Sequence, residues 1–132
     1  MSEVGQPSTL VLNPSLARTF SPQNRHVSRL YMSPESEVLV VCWEPGQQSS
    51  SHSHGNSESI VLVLEGRLIV IAEGRERVVE KHEITITPRG TTHQLINKDK
   101  CRAVTLHIYA PSTNAHISHP FRDLSSDLMK AR

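Results

Sequence analysis

His52 and His54 lie two residues apart in the run Gly46-x5-His52-x-His54-x3-Glu58. Side chains i and i+2 of an extended segment leave the same face, so both imidazoles can meet at one point. Glu58 lies beyond Gly55-Asn56, where a short bulge would return a carboxylate to that face. Imidazole and carboxylate are donors for first-row divalent ions such as iron, manganese, nickel and zinc. A further donor must come from elsewhere, and His93 follows the rigid Pro88-Arg89-Gly90 turn at the start of another run. Singly, each residue has an ordinary explanation: solvated loop histidines, a surface carboxylate, a hydrogen-bonded strand end. A second group, Thr105, His107 and Tyr109, alternates with Val104, Leu106 and Ile108. Either trio can face inward. The polar one lies in water or forms a hydrogen-bonded relay aimed into a cavity.

The elements that must position these groups are short apolar runs separated by turn residues. Glu37–Trp43 reads as a buried strand closed by Pro45-Gly46, and Ser59–Leu64 joins Arg67–Ala72 through a tight Glu65-Gly66 hairpin. Glu73-Gly74-Arg75 turns the chain into Glu76–Glu80, and Glu83–Thr87 alternates strictly up to Pro88. Thr92–Asn97 and Cys101–Tyr109 flank the polar turn Lys98-Asp99-Lys100. About eight strands with turns every 8–12 residues and no helical period predict an all-β sandwich or barrel. Residues 1–24, with Pro7, Pro14 and Pro22, form an N-terminal arm with at most one short strand near Leu10–Leu12. The barrel occupies 25–111, and the polar tail 112–132 holds a short helix over Asp123–Lys130 at most.

A chain of 132 residues makes one domain. Aromatic residues are 4%, so the core falls to Val, Ile and Leu. Fourteen Lys and Arg against thirteen Asp and Glu leave a net charge of +1, which argues against a nucleic-acid footprint. The longest apolar runs, Ile60–Leu64 and Leu68–Ala72, are too short for a bilayer, and the first ten residues lack the apolar stretch of a signal peptide. Two cysteines, Cys42 and Cys101, read as buried thiols of a reducing compartment, and the expected location is cytoplasmic. Histidine, at eight, is over-supplied, and His26, His82, His116 and His119 belong to no constellation and are expected at the surface.

Taken together, Gly46-x5-His52-x-His54-x3-Glu58, the hairpin glycine Gly66 and Pro88-x-Gly90-x2-His93-x3-Asn97 resemble the two-part signature of the cupin superfamily. His82 takes the place of the second part's opening glycine, and Gly66 falls one position late. The resemblance covers residues 37–110. It implies a jelly-roll barrel (a double-stranded β-helix) with His52, His54, Glu58 and His93 around one metal. The stretches Val41–Glu58 and Ala103–Pro111 are similar to the corresponding runs of cysteine dioxygenases and related thiol dioxygenases. That resemblance implies Fe(II), a small-molecule thiol and dioxygen as substrates, and a sulfinate product. It casts Tyr109 as hydrogen-bonding the substrate or oxygen and His107 as orienting Tyr109. Ser59 stands where the animal enzymes carry the cysteine that cross-links to tyrosine, so Tyr109 is expected to be a free phenol. The family's carboxylate-binding arginine aligns with Val27, and Arg25, on the same strand face as Arg29, is the nearest substitute. Those enzymes hold iron with three histidines alone, so Glu58 either turns away or takes a position the substrate would use. Two other readings remain open at this point. One is a non-oxidative isomerase, decarboxylase or lyase on Mn, Ni or Zn with three His and one Glu. The other is a non-catalytic small-molecule-binding cupin. A homodimer through edge strands or the arm fits any of the three.

Overall fold

The computed structural model describes residues 9–113 and 120–125. Among them nine strands run β1 (His26–Met32), β2 (Glu37–Trp43), β3 (Glu58–Glu65), β4 (Leu68–Ala72), β5 (Arg75–Val79), β6 (Ile84–Thr87), β7 (His93–Ile96), β8 (Ala103–Ala110) and β9 (Phe121–Asp123). They form a six-stranded sheet in the order β6-β3-β8-β2-β1-β9 and a three-stranded sheet in the order β5-β4-β7. This is the expected all-β jelly-roll, with its two inner faces packed together.

Alternation along each strand decides which side chains fill the space between the sheets. Leu39, Val41 and Trp43 of β2, Val61 and Val63 of β3, Leu68 and Val70 of β4, and Leu95 of β7 share one buried cluster. The opposite face of the large sheet is also covered: Val40, Cys42 and Val104 pack under Leu12, Ala17 and Phe20 of the N-terminal arm. Burial on both faces is why β2 reads as an unbroken apolar run rather than an alternating one. Burial pushes the Cys42 thiol pKa up, and its Sγ donates to the Ala17 carbonyl at 3.5 Å.

Several expectations change. The arm holds no strand near Leu10–Leu12; instead Pro14–Ala17 forms a single 3-10 turn capped by the Asn13 side chain. Asp123 does not begin a helix. Phe121–Asp123 pairs in parallel with β1, which offers an otherwise unpaired edge, and Val27 N–H donates to the Pro120 carbonyl at 3.0 Å. Ser125 is helical, while residues 126–130 of the predicted helix, the first eight residues, and His116 and His119 lie outside the described residues. Cys101 is exposed in the turn before β8, because the turn needs polar surface and not core. His82 is exposed as expected and holds φ +72°, the left-handed conformation of the glycine it replaces. No helix among the described residues is long and apolar enough to cross a membrane.

Candidate metal centre

The segment between β2 and β3 carries two of the three histidines, and β7 holds it in place. Asn97 N–H donates to the Gln47 carbonyl (2.9 Å), Ser49 N–H to Leu95 (2.8 Å), and His52 and His93 exchange both backbone bonds (2.9 and 2.8 Å). The segment is therefore extended where the sequence reading required it, and His52 and His54 turn toward His93. Their ring centroids lie 4.6 Å apart for His52 and His54, 4.9 Å for His52 and His93, and 5.2 Å for His54 and His93. One nitrogen from each lies within 4.8 Å of the others.

The hydrogen bonds on the outer nitrogens fix which atoms face inward. His52 Nδ1 lies 2.6 Å from the Ser50 carbonyl, which only accepts, so Nδ1 carries the proton and Nε2 presents a lone pair. His52 Nε2 in turn lies 3.0 Å from His54 Nε2. Two nitrogens at right angles around an ion, each about 2.1 Å from it, stand about 3 Å apart. His93 Nδ1 is held by Thr87 Oγ1 at 3.1 Å, leaving Nε2 buried and without a partner. A buried polar atom without a partner is costly unless something outside the protein chain satisfies it. Burial, reinforced by the neighbouring imidazoles, pushes the His54 and His93 pKa values down to about 4, so both present neutral nitrogens near pH 7. The donor set fits a divalent cation, with Ser50 and Thr87 orienting its ligands.

Glu58 is not part of this group. It starts β3 with an exposed side chain, and the pleat turns the next residue, Ser59, inward instead. No bulge between Glu58 and the histidines returns the carboxylate. The fourth expected ligand therefore points away, and three imidazoles remain.

The inner face of β8 supplies the polar trio. Thr105, His107 and Tyr109 are buried, while Leu106 and Ile108 face partly outward, which settles the alternation in favour of a relay. Trp43 Nε1–H donates to Thr105 Oγ1 at 2.9 Å, Thr105 Oγ1 meets His107 Nε2 at 2.6 Å, and His107 Nδ1 meets Tyr109 Oη at 3.2 Å. The Tyr109 ring stacks on His54, with centroids 4.2 Å apart and planes at 30°. The relay therefore ends at a ring of the three-histidine group. Burial pushes the His107 pKa down to about 3, and it raises that of Tyr109, with Glu37 adding to the rise and Arg25 opposing it. Both groups are neutral over the working pH range.

Arg25 sits just before β1, half-buried, with its guanidinium 5.7 Å from the centre of the Trp43 ring. Its Nη1 donates to the Gln48 carbonyl at 3.3 Å. Its charge is felt by both Tyr109 and His107, so the structure brings it to the same end of the barrel. Arg29, its neighbour on the strand face, is engaged by Glu37 (3.2 Å) and Asp123 (3.0 Å).

Sequence reasoning missed two residues near the site, Thr87 and Glu37. Thr87 was visible only as the end of an alternating strand. Glu37 is 1% exposed and directly opposite Tyr109 in the β2–β8 register. The signal for it was its parity with Leu39, Val41 and Trp43, which marks an inward carboxylate. Ser59 is opposite Tyr109 in the β3–β8 register, with a buried Oγ that has no partner. Tyr109 thus faces a serine and remains an unlinked phenol.

Comparison with known proteins agrees with this architecture. The chain resembles a double-stranded β-helix protein of Klebsiella pneumoniae at 21% identity, covering 83% of this chain and 95% of that one, with a TM-score of 0.74. It resembles KdgF from Halomonas sp. at 16% identity, covering 81% and 96%, with a TM-score of 0.68. A sugar phosphate isomerase of the cupin superfamily from Silicibacter pomeroyi matches at 25% identity over 59% of this chain and 52% of that one, with a TM-score of 0.54. The cupin domain model matches residues 39–109, more than half the chain and the span that holds all three histidines and the β8 relay. With its two-sheet barrel and inward histidines, the chain belongs to the cupin domain family.

Proposed function

We propose that this cupin is an Fe(II)-dependent oxygenase that converts a small-molecule thiol to its sulfinate. The observation that carries the reading is the donor set, three imidazoles with no carboxylate among them, beside a buried phenol. His52, His54 and His93 would hold the ion as three protein ligands and would leave coordination positions open to substrate and dioxygen. The chemistry such an ion supplies when bound is redox activation of dioxygen and a seat for a thiolate sulfur. The overall change balances as R–SH + O2 → R–SO2H: sulfur loses four electrons, dioxygen gains four, and both oxygen atoms enter the product.

The chain's own groups supply the rest. Of the two bonds open to the Thr105 hydroxyl hydrogen, the 2.6 Å contact with His107 Nε2 outweighs the 3.4 Å contact with the Val41 carbonyl. His107 is then the Nδ1–H tautomer and donates to Tyr109 Oη, which leaves the phenol hydrogen free to donate to another acceptor. Because burial keeps Tyr109 protonated, it acts as a fixed hydrogen-bond donor and not as a base. Trp43 anchors the relay through Thr105. Arg25, held over Trp43, offers its remaining N–H groups to an anionic substrate.

Oxygen-electrode measurements with sulfinate detection, on Fe(II)-loaded protein and a panel of thiols, test this directly. One dioxygen consumed per sulfinate formed is expected, with a rate reduced at least tenfold in Tyr109→Phe. Absence of oxygen uptake with every thiol overturns the reading. The likeness to the sugar phosphate isomerase favours a second one, Lewis-acid chemistry on Mn, Ni or Zn. Oxygen-independent turnover of a phosphorylated sugar in the same assay series would select it.

A further inference from the structure

β5 places two cations on the inner face of the small sheet. Its buried residue, Val79, joins the core, and a period of two puts Arg77 and Arg75 on the same side. Register names their neighbours. Arg77 lies opposite Val70, which lies opposite Leu95; Arg75 lies opposite Ala72, which lies opposite His93. His93 in turn bridges His52. One row across the inner face therefore reads Arg75, Ala72, His93, His52. Adjacent strands are about 4.8 Å apart, so the Arg75 and His93 backbones stand about 10 Å apart. Only the methyl group of Ala72 lies between them.

A cavity of about 520 Å³ opens over the Arg75–Ala72 end of this row, next to His93 but not lined by it, with β6 as its far wall. Its polar lining is Arg75, Arg77, Thr85, Thr87, Thr91 and Glu73. Thr87 is also the residue that holds His93 Nδ1, so the cavity wall and the metal-ligand scaffold share a side chain. Arg18, Arg29, Arg67 and Arg102 each bond a carboxylate, yet Arg75 and Arg77 bond no partner among the described residues. Glu73, at the hairpin turn, is the one carboxylate on the lining, and two guanidinium groups against it leave a net positive cavity. Guanidinium forks bind carboxylate and phosphate bidentately, and the threonine hydroxyls add donors.

We propose that Arg75 and Arg77 form an oxyanion-binding site, and that the molecule handled at the histidine centre carries a carboxylate or phosphate remote from its reacting end. The anion site stands without the oxygenase reading; only its part in choosing the substrate rests on it. The volume agrees, since about 300–1,000 Å³ suits a ligand larger than a minimal amino thiol.

Calorimetric titration of the full chain, with glutarate and inorganic phosphate in separate arms, tests the site. At least one anion is expected to bind, at least tenfold more weakly in the Arg75→Gln/Arg77→Gln variant and within twofold of wild type in Arg122→Gln. The better ligand identifies the group as carboxylate or phosphate. Both arginines are exposed and unpaired, so the double variant is expected to keep the wild-type Tm, and lost binding then reports the site and not the fold. His93→Gln dismantles the metal centre and is expected to leave anion affinity in place, which excludes binding at the ion itself. No saturable binding of either anion, or equal affinity in the double variant, overturns the site. Anion binding lost in the double variant, but with no thiol oxidised by wild type, removes only the link to the oxygenase.

Discussion

The His93 side chain shows how little separates a core histidine from a ligand. Its Nδ1 is satisfied by Thr87, and its Nε2, equally buried, has no partner. Thr87→Val removes the oriented hydrogen bond at nearly constant volume, and outer-shell losses of this kind weaken metal affinity by about 10–100-fold. Chelator competition is expected to place the variant in that range, with affinity equal to wild type counting against Thr87 as the orienting group. Glu58→Gln gives the complementary test: its exposed position predicts metal affinity within twofold of wild type. A large loss in that variant would mean that the carboxylate swings in to ligate. Four residues pointed to the centre from sequence, but only three are assembled there. The His-x-His pair was legible because strand pleat is a strict rule, whereas Glu58 depended on a bulge that does not form. One residue of phase separates Glu58 from Ser59, and one residue is the whole difference between the two faces of a strand.

Strands and turns set that phase. Gly66 ends β3 at φ +72°, and a Cβ there would collide with the Arg102 carbonyl oxygen and lie 3.1 Å from Ala103 Cα. Gly66→Ala is expected to lose about 2–3 kcal/mol, from left-handed strain plus displacement of the chain leading into β8. His82 holds the same left-handed backbone with a side chain in solvent. His82→Gly is expected to gain about 1 kcal/mol by relieving that strain, an increase of roughly 3–5 °C in Tm. Opposite signs at two turns of similar φ would be read in one thermal-melt series. A stabilised Gly66→Ala would show that the close approach to Arg102 does not exist. The same elements explain what was readable. Seven strands from β2 to β8 followed from apolar runs punctuated by Gly and Pro. β9 did not, because its pairing to the β1 edge is a tertiary choice that three residues, Phe121–Asp123, cannot announce. The outward or inward facing of the β8 trio was undecidable from period alone, since both faces of the large sheet are covered.

At the scale of the whole molecule, the histidine centre couples folding to protons and to metal. The folded protein holds His54 and His93 near a pKa of 4, against the usual value of about 6.5 in an unfolded chain. Above about pH 6.5 neither state binds a proton at these sites, and they cost the fold nothing. As pH falls from 6.5 to 4, the unfolded chain takes up protons that the folded centre refuses. Stability then drops by up to about 1.4 kcal/mol per pH unit for each histidine. Below about pH 4 both states are protonated at these two positions and the loss stops growing. A cation on the three inner nitrogens acts in the opposite sense: it binds only where they converge, and at a thousand times its Kd it adds about 4 kcal/mol. The metal-free protein is therefore expected to melt at a constant temperature above pH 7 and progressively lower between pH 6.5 and 4. Added metal should raise Tm strongly at pH 7 and progressively less on acidification, as protons compete for the same lone pairs. Replacing both groups in His54→Gln/His93→Gln should flatten the acid limb and abolish the metal effect together. A level metal-free Tm from pH 7 to pH 4, or an acid limb unchanged in that variant, would show that the converging imidazoles are not neutral in the fold.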